Sequence, residues 1–222
     1  MISTWPTQMH NAHVLVLVIL LFQPRVVFGE ATPVTVAVHS EVPALLDWAH
    51  ETRALLVTWH PRIDDLLRTE GFAVTHSIAL NIEKSDEGVA ETSGDVITVF
   101  SHWIEKHPAD VGLAVHELVH VIQAYPSAEP SWITEGIADY IRFAVFEGKP
   151  QSWFPVSAEE QGYKAGYRVT AGFLLWLESE ISRGIVKTLN TAMRRAAYSD
   201  ELFKSETGRL LDELWQAYCD SR

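Results

Sequence analysis

Hydrophobic and polar positions change period partway along the chain. Residues 34–38 (VTVAV) alternate and are rich in β-branched side chains, the pattern of a strand. Residues 73–82 repeat it, with Val74, Ile78, Leu80 and Ile82 sharing one parity, and 95–100 (DVITVF) form a further strand; 88–92 make a short extended segment. Between the first two strands, residues 42–67 carry Leu45, Leu46, Ala49, Leu56 and Trp59 at helical spacing, with Pro61 placed to break that helix or begin a second. From residue 108 onward the spacing is helical throughout. It predicts helices over 111–125 (ending before Pro126), 131–146, 163–181, 185–197 and 206–218. Strands first and helices afterwards describe an α+β domain: a small N-terminal sheet with helices, then a helical C-terminal half.

The beginning of the chain stands apart. Residues 14–22 (VLVLVILLF) are an unbroken apolar run, too short to span a bilayer as a helix, which takes about 20 residues. Pro24 and Arg25 interrupt it, and Val27-Phe28-Gly29 resembles a cleavage site, so residues 1–29 read as a secretory signal peptide and the protein as secreted or periplasmic. The stretch before the apolar run has no Lys or Arg, which leaves an uncleaved N-terminal membrane anchor as the alternative. No linker divides the remainder, so 30–222 reads as one domain. A net charge of −12 without a basic cluster argues against nucleic acid or an anionic membrane surface as partner. Cys219 is the single cysteine, which excludes an intramolecular disulfide; most of the eight tryptophans are expected in the core.

The chemistry concentrates in the 111–125 helix, which contains His116-Glu117-Leu118-Val119-His120. Residues at i and i+4 share a helix face, so both imidazoles can address one point, and the neighbouring Glu117 can reach a metal-bound water as general base without ligating the metal. Such a string arises by chance in about four of a hundred chains of this composition, so it needs support. One support is its setting, GLAVHELVHVIQAY: an apolar helix carries two histidines and a glutamate only if something satisfies them. Another is Glu135, 15 residues beyond His120 on the next helix, with Asp139 one turn further. His116, His120 and Glu135 would be the three protein ligands of a catalytic zinc, and Asp139 would accept a hydrogen bond from the far nitrogen of one histidine. The plain alternatives are hydrogen-bonded core groups for the motif and ordinary helix charges for Glu135 and Asp139. His102 and His107 have no metal-ligand spacing, and His39, His50, His60 and His76 are scattered, which suits structural roles.

The string WITEGIADYIRF resembles the Glu-Gly-x-Ala-Asp helix of gluzincin-type metallopeptidases. More closely, the chain resembles the plant basic secretory protein family, through GVAETS at 88–93, VHELVHVIQ at 115–123, EGIADYIR at 135–142, GYRVTAGFLLWLE at 166–178, LN at 189–190, YSDELF at 198–203 and LDELWQAY at 211–218. The family's name does not suit this acidic chain, and Ala124 displaces the aromatic residue expected after Gln123. The resemblance implies a zincin-like fold, a His/His/Glu zinc site and proteolysis of polypeptides, with Glu117 as general base for a water that Zn2+ activates. It also places Tyr167 after the ligand helix as an oxyanion donor, ahead of Tyr163 and Tyr140, and makes 88–93 an edge strand facing the substrate. A catalytically inactive binding module, a structural zinc site and a hydrolase of other bonds compete with this reading. The intact Glu117 opposes the first, and the missing fourth ligand opposes the second. Oligomeric state is not encoded in any recognisable pattern.

Overall fold

The computed structural model describes Met1 and Thr32–Arg222, so the expected signal peptide lies, beyond its first residue, outside the described residues. No helix among the described residues is long and apolar enough to cross a membrane.

Strands β1 (Thr35–Ser40), β2 (Ser77–Glu83), β3 (Ala90–Ser93) and β4 (Val96–Phe100) form one sheet in the order β1-β2-β4-β3. The first three in that order are parallel, and β3 runs antiparallel as one edge. The parity read from the sequence is the parity that folds inward: Val74, Ile78, Leu80 and Ile82 are all buried. The strand itself begins only at Ser77, with the His76 carbonyl just before it already accepting from Thr35 N–H of β1 at 2.7 Å.

Helix α1 (Leu46–Leu66), entered through a tight turn at Pro43–Leu45, is the crossover between β1 and β2. Pro61 neither breaks it nor starts a second helix. Its ring lies on the exposed face, and the carbonyl it leaves without a donor belongs to Val57, also exposed and open to water. Short α2 (Ser101–Lys106), which the hydrophobic pattern did not predict, leads from β4 to α3 (Gly112–Gln123). All but one residue of α3 are buried, since α1 packs on one side and β3 and β4 on another. It ends at Ala124, whose left-handed backbone (φ 41°) turns the chain two residues before Pro126.

The second half is helical, with corrections to the expected boundaries. Helix α4 (Ser131–Asp139) widens into a π-helical stretch at Tyr140–Phe146, and α5 (Tyr167–Trp176) does the same at Leu177–Ile181. The expected helix over 163–181 is interrupted at Gly166 (φ 69°). Helix α6 spans Ile185–Arg194. The expected helix over 206–218 is two helices, α7 (Glu201–Thr207) and α8 (Leu211–Asp220), because Gly208 adopts φ 76° and its N–H closes α7 on the Lys204 carbonyl. α4 and α5 pack most closely at Gly136, where an added Cβ would fall on the Thr170 side chain. Of the seven tryptophans among the described residues, only Trp132, Trp176 and Trp215 are buried, fewer than the composition suggested.

The hairpin between β3 and β4 fixes which backbone groups are free. Phe100 N–H donates to Val89 O at 3.1 Å, and the register pairs Glu91 with Thr98 and Ser93 with Val96. In an antiparallel pair this bonding alternates, so Ala90 and Thr92 turn their backbone N–H and C=O toward the open edge. Their side chains are half-buried and face α3, while Glu91 and Ser93 point to solvent.

Candidate metal centre

The open edge of β3 forms one wall of a cleft of about 1660 Å³, with α3, the start of α4 and the start of α5 forming its floor and other wall. On the floor, His116 and His120 stand one turn apart on α3 and Glu135 reaches across from α4. Their donor atoms converge: His116 Nε2 and His120 Nε2 are 3.1 Å apart, and Glu135 Oε2 is 3.2 Å from the first and 3.6 Å from the second. Ligands held at 2.0–2.1 Å on a tetrahedral ion sit about 3.3–3.4 Å from one another. The three residues are thus a group that could hold a metal ion.

The outer nitrogens explain why the inner ones face each other. His116 Nδ1 lies 2.7 Å from Asp139 Oδ1, and His120 Nδ1 lies 2.8 Å from Gln123 Oε1. Both acceptors require an N–H at Nδ1, which leaves Nε2 of each neutral ring as a bare lone pair. Two lone pairs and a carboxylate then address one point, a set that a single cation satisfies. Without one, a proton takes its place. Burial alone would lower the His116 pKa, but hydrogen bonds to Asp139 and Glu135 outweigh it and raise the pKa to about 9. Burial likewise works to raise Glu135, and the hydrogen bonds from His116 and His120 prevail, lowering it to about 2.

Glu117 is turned away from the donor cluster toward β3. The residue is only 7% exposed, and Thr92 Oγ1 donates to Glu117 Oε2 at 2.8 Å and to the Glu117 backbone carbonyl at 3.1 Å. Tyr167 opens α5 with φ 46°, a left-handed conformation that costs a bulky residue about 1–2 kcal/mol. In that conformation the ring lies 6.4 Å from the His116 ring, nearly parallel to it, with 56% of the residue exposed to the cleft. The carboxylates of Glu135, Asp139 and Glu117, together with partial burial, raise its pKa, which keeps the hydroxyl a donor.

The two other tyrosines singled out from the sequence stand away from the cleft. Tyr163 is buried in the core with its hydroxyl donating to Asp212 at 2.8 Å, and neither it nor Tyr140 lines the cleft, whereas Tyr167 does. His102 and His107 stand outside the donor cluster, and His60 bonds the Thr75 carbonyl at 2.7 Å.

Two partners escaped the sequence pattern. Gln123 is buried and does double duty, accepting from His120 and donating to the Thr134 carbonyl of α4 at 3.0 Å, so it ties both ligand-bearing helices together. Its position at i+3 from His120 was the available signal. Thr92 had no local signal, since its bond to Glu117 spans 25 residues. Behind Gln123, Arg194 of α6 caps the end of α3, donating to the carbonyls of Ile122 and Gln123 and also to Leu67 O and Thr69 Oγ1.

The residues therefore define a candidate metal site at the floor of an open cleft beneath a free strand edge. The sequence pattern of the basic secretory protein family, described as peptidases of plants and bacteria, matches residues 35–218, and the chain belongs to that family. No curated protein and no solved structure matches the chain.

Proposed function

We propose that the chain is a secreted zinc endopeptidase of zincin-like architecture, its single catalytic domain (residues 30–222) following a cleaved leader. The observation that carries this reading is the convergence of His116 Nε2, His120 Nε2 and Glu135 Oε2 at 3.1–3.6 Å with both Nδ1 atoms tied back. Two imidazoles and one carboxylate suit zinc, and three protein ligands leave one position open, as catalytic rather than structural sites do. When bound, the zinc supplies Lewis-acid activation of a water and of the scissile carbonyl.

The chain's own residues supply the rest. Ala90 and Thr92 offer unpaired backbone groups to which an extended peptide adds as a further strand, setting its carbonyl over the donor cluster. Glu117, held by Thr92, takes the proton of the attacking water and passes it to the departing amine. Tyr167, protonated at neutral pH, donates to the oxygen on which charge develops. Asp139 and Gln123 keep the two imidazoles in the ligating tautomer.

The test uses purified mature chain, its metal content, and hydrolysis of an unfolded protein with and without chelator. The expected result is one equivalent of zinc, chelator-sensitive cleavage, and a loss of about 10²–10⁴-fold in Glu117→Gln with zinc retained. Zinc at one equivalent with wild type as inactive as Glu117→Gln on every substrate would make the chain a binding module. Folded protein that takes up no zinc would remove the site assignment.

A further inference from the structure

Beyond the donor cluster, the cleft is chemically lopsided. Its two arginines lie toward the N-terminal end of α3, beside Phe143 and Trp153. Arg142 is committed: its guanidinium pairs with Asp110 and with Glu147 and lies over Phe143. Arg168 is not. Among the described residues no carboxylate pairs with it and no acceptor takes its hydrogen bonds, and its guanidinium stands 5.7 Å from the centre of the Trp153 ring. Trp153 is 37% exposed, packs on Phe143 at 4.8 Å, and carries Lys149 at 5.5 Å. The free acidic groups that line the cleft outside the metal centre, Glu91 and Asp95, sit at the β3 hairpin. In a chain of net charge −12, a free cation held on an aromatic platform inside the cleft runs against the general field.

Arg168 and the donor cluster line the same cleft. Arg168 follows Tyr167, whose ring stacks over His116. A peptide lying in that cleft can set its backbone over the donor cluster and a side chain against Arg168. A planar guanidinium offers paired donors matched to a carboxylate, and the exposed Arg168 side chain has the Trp153 ring beside it at cation–π range.

We propose that Arg168, on the platform of Trp153 and Phe143, is a carboxylate subsite that selects peptides bearing Glu or Asp, or a terminal carboxylate, on that side of the cleft. The proposal rests on the peptidase reading only for what happens to the peptide afterwards; the selection itself is a binding property. It is tested with metal-loaded chain carrying Glu117→Gln, so that peptides survive, and labelled hexapeptides of Ala, Gly and Phe in which one Glu is scanned through every position against a matched Gln. Each is made with a free and with an amidated C-terminus, and binding is read by fluorescence anisotropy at low and high salt.

The expected result is one position at which Glu binds about three- to tenfold more tightly than Gln, weakening with salt. Arg168→Glu abolishes that preference and transfers it to Lys, and Arg168→Lys keeps part of it. A preference that follows only the free C-terminus assigns the subsite to the terminal carboxylate. Glu and Gln peptides that are indistinguishable at every position, with free and amidated C-termini also bound alike, overturn the proposal, as does a carboxylate preference that survives Arg168→Glu. Wild-type chain incubated with the same peptides separates the two readings: selective binding without cleavage removes the peptidase and leaves the subsite.

Discussion

Replacing Asp139 with Asn should weaken metal binding in a way that depends on pH in an unusual direction. Asp139 accepts a 2.7 Å hydrogen bond from His116 Nδ1, and the pair is buried. Removing an outer partner of this kind lowers metal affinity by about 10–100-fold, equivalent to about 1.4–2.7 kcal/mol. The same carboxylate, with Glu135, also favours the proton that competes with the metal at His116. With the imidazole raised to about 9, only about one metal-free site in a hundred has His116 deprotonated at pH 7, so proton competition weakens the apparent affinity by about 100-fold there. Asp139→Asn reduces both terms. Near pH 9.5 only about a quarter of metal-free sites keep the proton and most of the 10–100-fold loss should appear, whereas at pH 6.5–7 the weaker competition offsets part of it and the loss should fall below about tenfold. The assay is a competition titration against a chelator of known pH-dependent affinity, on both proteins, at four pH values. A loss that is constant with pH, or larger at pH 6.5 than at 9.5, refutes the coupling; equal affinity of the two proteins at every pH refutes the role of Asp139 altogether.

Three more outcomes follow from the same contacts. Thr92→Val removes the hydroxyl that holds Glu117 but keeps the strand, so kcat should fall about tenfold with KM within about twofold, and Thr92→Ser should restore most of it; an unchanged kcat would mean the bond does not orient the base. Tyr167→Phe should lower kcat by about 10–100-fold with metal content unchanged, checked by steady-state kinetics beside metal analysis. In the metal-free protein, the His116 contribution is complete below its unfolded pKa of 6.5 and is lost as pH rises through about 9, while that of Glu135 is complete above 4.5 and is lost as pH falls toward about 2. Thermal unfolding in chelator should therefore show greatest stability between pH 4.5 and 6.5, and a maximum above pH 8 would contradict the proton-for-metal exchange.

The site was legible where its chemistry repeats a local geometry. His116 and His120 share a helix face by spacing alone, and Glu135 and Asp139, likewise four apart, meet opposite nitrogens of one imidazole. Thr92 was illegible because its partner lies across a sheet-to-helix contact that no local period encodes. Gln123 looked like the polar end of an apolar helix, and only the approach of α4 makes it a link between ligands. In the fold, the inward parity of β2 followed from the sequence, whereas the parallel order of β1, β2 and β4 depends on the α1 crossover and is invisible in alternation. Periodicity also ran across Gly208 without seeing it, since a single left-handed residue ends a helix while leaving the apolar spacing on both sides intact.

The cap that Arg194 places on α3 has a consequence for when the protein becomes competent. Its donors reach carbonyls 71 to 127 positions earlier in the chain, and they close the helix end from which Gln123 holds His120. A growing chain that has reached α4 already owns every proposed ligand, yet the carbonyls of Ile122 and Gln123 still lack this donor. The order of synthesis thus leaves the end of α3, and with it the seat of Gln123, open until α6 has been made and has docked.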